Sequence, residues 1–204
     1  DLAKIGNGQA QYSMLCNESG GVVDDFIIYR FTEDNVFIIP NATNATKVFH
    51  RLSEALPSGI IIENLHNQYG IIAIQGPLAA NVLGRMGLPF DCDYMNWLQA
   101  DMKGERVIIC RTGYTGEAGF ELVAPVGVLQ HLWDHSIAAA AQVGGIPAGL
   151  GARDILRTEM GYPLHGQDIS PSISPLEAKI SWAVGWDKPH FDGRETLQAT
   201  RVQG

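Results

Sequence analysis

Two adjacent aspartates, Asp24 and Asp25, are the first residues along the chain whose type and position suit acid–base chemistry. They follow two glycines and begin an alternating apolar stretch that predicts a β-strand. Because neighbouring strand residues point to opposite faces, one of the two carboxylates should face the interior or a cleft. There it could accept or relay a proton. The simpler interpretation is a polar end of the turn.

A third carboxylate, Glu121, lies in the stretch RTGYTGEAGFEL, which carries three glycines between two apolar segments. Strand alternation places Glu121 on the face opposite Phe120 and Leu122. Two interpretations remain open. The side chain faces solvent, or it is a buried carboxylate that accepts two parallel N–H bonds from a planar heterocycle.

Arg153 is the basic candidate, near the start of a short predicted helix that runs from Ala152 to Met160. Asp154 is beside it and Arg157 follows one turn later, so a surface ion-pair network is the ordinary explanation. A cation at a helix start opposes the helix dipole, however, which favours a specific reason for its presence.

Composition excludes several classes of function. The chain has 204 residues and 46% hydrophobic content, which suits one large domain or two small ones with a sizeable core. A net charge of −8 argues against a broad nucleic-acid surface, and no apolar run approaches the roughly 20 residues of a membrane helix. The three cysteines form no CxxC pair, so we expect no metal cluster, no disulfide framework and a reducing compartment.

Hydrophobic periodicity predicts the elements that must position these side chains. The predicted strands cover residues 11–17, 24–31, 35–40, 68–76, 105–112, 120–125 and 179–186. The predicted helices cover residues 43–56, 76–87, 126–145 and 152–160. Antiparallel runs of strands with interspersed helices predict an α+β fold. We expect two lobes of antiparallel sheet with flanking helices, residues 1–65 and residues 66–204.

Six stretches of the chain carry a family resemblance, in the family's order and over nearly its whole length. They are QYSMLCNESGGVVDDFIIYR, IQGP, RTGYTGEAGFEL, GLGARDILRTEMG, HGQDISPSISPLEAKISWAVGW and FDGRETL. Together they resemble the T protein of the glycine cleavage system, a tetrahydrofolate-dependent aminomethyltransferase. The resemblance implies a folate-binding core whose first lobe is ferredoxin-like. It also implies an N-terminal segment and a C-terminal barrel domain that this sequence lacks, so the fragment alone could be inactive.

The resemblance implies a reaction. T protein takes the aminomethyl group from the lipoyl arm of H protein, releases ammonia and passes the methylene to tetrahydrofolate. The expected partners are therefore lipoylated H protein and a folate co-substrate, with no metal, nucleic acid or membrane. The expected location is the bacterial cytoplasm, or the mitochondrial matrix in a eukaryote.

The resemblance also implies roles for the candidate residues. Asp25 is expected beside the reacting nitrogens, where it can orient N5, stabilise the developing iminium and relay a proton. Glu121 matches the glutamate that binds the amino-pyrimidine edge, with its glycines letting the backbone turn close to the ligand. Arg153 matches the ligand-binding arginine. The other residues expected to line the folate cavity are Tyr12, Tyr29, Asn41, Tyr114, Tyr162 and Trp182.

Other interpretations remain open. The chain has His165 where many relatives carry tyrosine, and Pro40 where valine is common. Folate domains appended to dimethylglycine or sarcosine dehydrogenases lack GYTGE. A folate-binding protein of iron–sulfur maintenance carries a cysteine where this chain has Thr112, Gly113 and Tyr114. A module that binds folate without turning it over is a third alternative.

Overall fold

The computed structural model describes residues 1–203 as an α+β fold with two separate antiparallel sheets. Two compact units form. The first contains Asp1–Asn64 together with the chain from Pro163 onwards, and the second contains Leu65–Tyr162. The predicted boundary near residue 65 agrees with this division. The prediction that everything after it belongs to the second lobe does not, since the chain returns to the first unit at Pro163.

The first unit is built on a three-stranded sheet with strand order β1-β2-β3. Its elements are β1 (Ala10–Cys16), β2 (Val22–Arg30), β3 (Val36–Pro40), α1 (Ala45–Ala55) and α5 (Arg194–Gln203). Phe26 and Ile28 of the central strand pack with Val48 of α1, and all three are buried. Burial of each such side chain contributes about 1.5–3 kcal/mol, which holds the helix against the sheet.

The second unit is built on a four-stranded sheet with strand order β4-β7-β6-β5. Its elements are β4 (Tyr69–Gln75), α2 (Ala79–Arg85), β5 (Trp97–Met102), β6 (Glu105–Cys110), β7 (Gly119–Pro125), α3 (Val126–Ala141) and α4 (Leu150–Glu159). Phe120 and Leu122 of β7 belong to one core cluster with Leu83 of α2 and Leu132 of α3. Because this face of β7 supplies the core, the alternating position Glu121 points to the other face, as predicted.

The structure differs from the predicted elements in three places. The predicted strand at 179–186 is wrong, because Ser181–Ala183 forms a 3-10 turn after Lys179, whose φ is 57°. Strand β5 was not predicted, although it meets β6 through Lys103 and Gly104, both with positive φ. Such a pair is typical of a tight type I′ hairpin. Helix α5 was not predicted either, since Leu197 is its one buried apolar residue among those described.

Gly21 allows the returning chain to close the first unit. The backbone N–H of Val22 lies 2.8 Å from the carbonyl of Ser170, and the side chain of Asn17 donates to the carbonyl of Pro171 at 2.7 Å. A Cβ atom at Gly21 would overlap the backbone of Pro171, which cannot rotate away as a side chain can. The second glycine of the pair before the aspartates is therefore required by a close backbone approach.

We expect Gly21→Ala to lower the free energy of unfolding by about 1–3 kcal/mol, the usual range for overpacking. Gly6→Ala is the matched control, because its Cβ would lie 3.6 Å from the Gln9 side chain, an ordinary contact. The control should stay within about 0.5 kcal/mol of the parent protein. Urea unfolding followed by circular dichroism measures both. Equal stability of the two variants would contradict the close approach.

Candidate functional site

Asp25 is positioned by all three strands of the first sheet. Its Oδ2 atom accepts a hydrogen bond from the Tyr12 hydroxyl on β1 at 3.0 Å. Its Oδ1 atom accepts one from the side-chain amide of Asn41, which directly follows β3, at 2.8 Å. Burial raises the pKa of Asp25, while these two hydrogen bonds oppose the rise. The result is a half-buried carboxyl group that binds a proton more readily than an exposed aspartate.

Asp24 is the interior member of the pair, with 0% of its surface exposed. Its carboxylate accepts hydrogen bonds from the backbone N–H of Asn41 at 3.1 Å and from the Asn41 amide at 3.0 Å. The Asn44 amide adds a third at 2.6 Å. The prediction that one aspartate faces the interior is therefore confirmed. The Asp24 carboxylate is buried and hydrogen-bonded within the unit, whereas the Asp25 side chain is partly exposed to solvent.

The aromatic candidates of the first unit occupy different environments. The rings of Tyr12 and Trp182 have centroids 5.5 Å apart. Trp182 is 71% exposed, so it offers an open aromatic face beside Tyr12, which donates to Asp25. Tyr29 is only 1% exposed. Its side chain packs in the interior and offers almost no surface to a ligand, which differs from its expected place in a cavity lining.

Glu121 is held by a residue that the sequence analysis did not single out. The Thr112 hydroxyl donates to Glu121 Oε2 at 2.5 Å. Thr112 is the only hydrogen-bond partner of this carboxylate within residues 1–203, and the Glu121 side chain is half-buried rather than solvent-facing. A carboxylate has about four lone-pair positions, so most of its acceptor capacity remains available.

Gln75 organises the glycine-rich loop before Glu121. Its amide nitrogen lies 3.2 Å from the carbonyl of Thr112 and 3.2 Å from that of Phe120, and its oxygen accepts from the Thr115 hydroxyl at 3.0 Å. A Cβ atom at Gly113 would overlap the Gln75 side chain. Gly119 has the same restriction.

The glycines of this loop therefore make room for protein side chains. Gly113 and Gly119 accommodate Gln75, and Gly116, at φ 76°, accommodates Met160. The expectation that they also let the backbone turn close to a ligand stays a prediction. Gln75 belongs to the IQGP motif, but nothing in the sequence indicates that its side chain contacts the glycine-rich loop.

Arg153 packs on an aromatic pair. Its guanidinium carbon lies 4.4 Å from the centroid of the Tyr114 ring, within cation–π range. Tyr114 in turn stacks on Tyr162, with centroids 5.8 Å apart and planes inclined by 24°. The ion pair of this helix is instead between Arg157 and Asp154, at 2.7 Å. Arg153 is therefore separate from the surface ion pair that offered the ordinary explanation.

Tyr94 interacts electrostatically with two of the candidates, and sequence reasoning did not identify it. Burial raises the pKa of Tyr94, and Tyr162 and Glu121 raise it further through their charges. The Tyr94 side chain is nevertheless 66% exposed, so its phenol stays open to solvent. The candidates of the first unit include an acid held by two neutral donors. Those of the second unit are a carboxylate held by Thr112 and an arginine that packs on two stacked tyrosines.

Two properties of the described residues bear on the class of site. Within residues 1–203, no group of three or more histidine, cysteine, aspartate or glutamate side chains is arranged to hold a metal ion. No helix in the same residues combines the length and apolar character that a membrane span requires.

The fold is shared with a solved aminomethyltransferase. The structure of glycine cleavage system aminomethyltransferase T from Bartonella henselae matches all of this chain with a TM-score of 0.87 and 34% sequence identity. The family model described as the GCVT N-terminal domain matches residues 1–188. The chain therefore belongs to the GCVT N-terminal domain family, which confirms the resemblance inferred from its motifs.

Curated relatives agree with this assignment. The chain is 54% identical over 204 residues to an aminomethyltransferase from Parafrankia sp. (strain EAN1pec). It is 52% identical to one from Mycolicibacterium paratuberculosis and 50% identical to one from Mycobacterium tuberculosis (strain H37Rv). Each match covers all of this chain but 56% of the relative, so the chain spans about half the length of the proteins that it matches.

The environment of Asp25 predicts a pH dependence of stability. Because burial raises its pKa above the ordinary 3.8, the folded protein holds a proton over a range where the unfolded chain has lost it. The stability contributed by Asp25 is therefore fully present below about pH 3.8. It is lost as the pH rises through the folded-state pKa.

We expect the free energy of unfolding of the parent protein, minus that of Asp25→Asn, to fall as the pH rises from about 4 to about 8. The asparagine variant removes the titrating group and serves as the reference. Carbon-13 NMR of the Asp25 carboxyl group should show a midpoint above 3.8. A midpoint at or below that value would contradict the effect of burial.

Proposed function

We propose that this chain forms the folate-binding part of an aminomethyltransferase of the glycine cleavage system. The reaction would transfer the one-carbon unit of an aminomethyl group from the lipoyl arm of H protein to tetrahydrofolate and release ammonia. Membership of the GCVT N-terminal domain family supports the class. The observation that carries the proposal is Asp25, a half-buried carboxyl group held between two neutral donors and with a raised pKa.

Asp25 would supply the acid–base step. The Tyr12 hydroxyl and the Asn41 amide fix one oxygen each, so the carboxylate has a defined orientation before any substrate binds. Its raised pKa makes it a better proton acceptor than an exposed aspartate, which suits the handling of a proton as ammonia leaves. When ionised, it would also stabilise positive charge that develops on an iminium carbon and nitrogen.

Glu121 would bind the amino-pyrimidine edge of the pterin. That edge presents parallel N–H donors, which a carboxylate accepts with two oxygens. Thr112 occupies one lone-pair position of Oε2 and fixes the carboxylate orientation. The loop that carries Thr112 is in turn fixed by Gln75, so the acceptor is prepared before the ligand arrives.

The remaining candidates would contact the rest of the folate. Tyr114, Tyr162 and the open face of Trp182 offer aromatic surfaces for conjugated rings. Arg153, exposed and supported by Tyr114, would donate to the folate or to a neighbouring carboxylate. Asn41 would act through Asp25, whose carboxylate it holds. Tyr29 is not proposed as a contact because it is buried.

The partner and the location follow from the same proposal. Lipoylated H protein would deliver the aminomethyl group, and tetrahydrofolate would act as co-substrate, with no metal required. The bacterial source of the relatives supports a cytoplasmic location. A domain that binds folate without transfer is the second candidate.

We expect Glu121→Gln to weaken tetrahydrofolate binding by about 1–3 kcal/mol, or roughly 5- to 150-fold, because an amide N–H would face a ligand donor. Calorimetric titration of the protein as the organism makes it measures the change. Glu117→Gln is the matched control, with the same change of charge on an exposed side chain of the same loop. Equal dissociation constants for the two variants would remove Glu121 from the site.

We expect Asp25→Asn to reduce aminomethyl transfer by about 100-fold or more while folate affinity changes little, because a positioned acid–base group acts mainly in the transition state. The assay uses the natural protein with aminomethylated H protein. Asp34→Asn, in the exposed turn before β3, is the control.

Asp24→Asn is not a suitable comparison, although strand alternation alone suggests it. Asp24 is fully buried among three donors, so its replacement leaves an amide N–H facing other donors and damages the fold. Full transfer by Asp25→Asn would exclude the acid–base role. Folate binding without any transfer by the parent protein would favour the binding-only alternative.

A further inference from the structure

The side chain of Asn44 connects a carboxylate to an imidazole. Its amide nitrogen lies 2.6 Å from Asp24 Oδ1 and 3.1 Å from His165 Nδ1. An ionised carboxylate only accepts hydrogen bonds, so the amide must present its nitrogen, and not its oxygen, to Asp24. One of the two amide hydrogens is used there and the other points to His165. The Nδ1 atom of His165 must therefore be the acceptor and carry no hydrogen.

The second ring nitrogen of His165 fixes the same state from the other side. Its Nε2 atom lies 3.3 Å from the carbonyl oxygen of Val22, which can only accept. The hydrogen of the imidazole is therefore on Nε2. Both contacts agree on one form, a neutral imidazole with its hydrogen on Nε2, anchored to the first residue of β2.

The connection continues from Asp24 to Asp25. Two of the three donors to Asp24 come from Asn41, and the same Asn41 amide donates to Asp25 Oδ1 at 2.8 Å. The orientation of the Asn41 amide is therefore set by Asp24 as well as by Asp25. The order of contacts is His165, Asn44, Asp24, Asn41 and Asp25, and every link lies within the first unit.

We propose that His165 is a positioning residue for Asp25, acting as a neutral acceptor that orients Asn44 and, through Asp24 and Asn41, the Asp25 carboxylate. Without an acceptor at Nδ1, the Asn44 amide has no partner for its second hydrogen and is free to rotate. Asp24 then loses its shortest hydrogen bond and Asn41 shifts toward the vacated oxygen. The hydrogen bond from Asn41 to Asp25 weakens as a result.

The effect on Asp25 has a defined direction. Tyr12, Asp24 and His165 are the titratable groups that face it, and the Asn41 hydrogen bond is one of the contacts that lower its pKa. Loss of that hydrogen bond should raise the Asp25 midpoint further. The network stands on the geometry alone, whereas its consequence for turnover rests on the proposed function.

Two matched variants separate the two ring nitrogens. In His165→Asn the amide oxygen branches from the same carbon as Nδ1, so an acceptor for Asn44 is kept and the bond to Val22 is lost. In His165→Gln the longer amide reaches the position of Nε2, so the donor to Val22 is kept and the acceptor is lost. Both variants are neutral, and both therefore remove any charge of the ring equally.

The first measurement is a long-range proton–nitrogen correlation spectrum of the His165 ring in the natural protein. We expect Nε2 to carry the hydrogen and Nδ1 to carry none. A hydrogen on Nδ1, or an even mixture of the two forms, would overturn the proposal. This test needs no variant and no substrate.

The second measurement is the carbon-13 titration of Asp25 in both variants, with circular dichroism as a check of folding. We expect His165→Gln to raise the Asp25 midpoint and His165→Asn to leave it near the parent value. In the transfer assay, His165→Gln should lower kcat by at least about 10-fold with little change in KM for the folate, since misplacement of an acid–base group affects the chemical step. His165→Asn should keep most of the kcat of the parent protein.

The two proposals fail in different ways. Equal Asp25 midpoints in the parent and in both variants would overturn the positioning role, whatever the activity. An absence of folate binding by the parent protein would overturn the proposed function, and the NMR measurements would still decide the role of His165.

Discussion

The first unit depends on one buried charge. Asp24 has no exposed surface, and an ionised carboxylate in that position is strongly destabilising unless donors surround it. Three hydrogen bonds from Asn41 and Asn44 meet this requirement, and each bond to a charged group contributes about 1.5–3 kcal/mol. The donors come from the segment between β3 and α1, so the charge fixes where that segment leaves the sheet. The neighbouring Asp25 is oriented by the same amide.

In the second unit, neutral side chains orient the candidate carboxylate Glu121. The Gln75 amide donates to carbonyls at both ends of the loop between β6 and β7. At positions 113 and 119 a Cβ atom would overlap the Gln75 side chain, so only glycine fits without a shift of Gln75. Thr112, fixed in this way, then orients Glu121. In the second unit, side chains outside the candidate list thus determine the geometry of a candidate carboxylate, whereas Asp25 is held by the candidates Tyr12 and Asn41.

The sequence predicted what periodicity and alternation control. The α+β class, the opposite orientation of Asp24 and Asp25, and the placement of Glu121 away from the core all followed from the two-residue repeat of a strand. The partners of these carboxylates could not be found in this way. Thr112 and Gln75 are brought to their positions by strand pairing between segments far apart in the chain. Helix α5 could not be predicted because one buried leucine, Leu197, does not form an apolar stripe.

The return of the chain at Pro163 has a consequence for synthesis. The second unit is continuous in sequence, so all of its strands are available once Tyr162 has left the ribosome. The first unit must wait, because the N–H of Val22 pairs with carbonyls of Ser170 and Ile173, about 150 residues later. During that interval the start of β2, which lies before the residues that pair with β3, lacks its final partners on that side, and unpaired strand backbone is prone to aggregation. Synthesis from the N-terminus therefore favours completion of the second unit before the first.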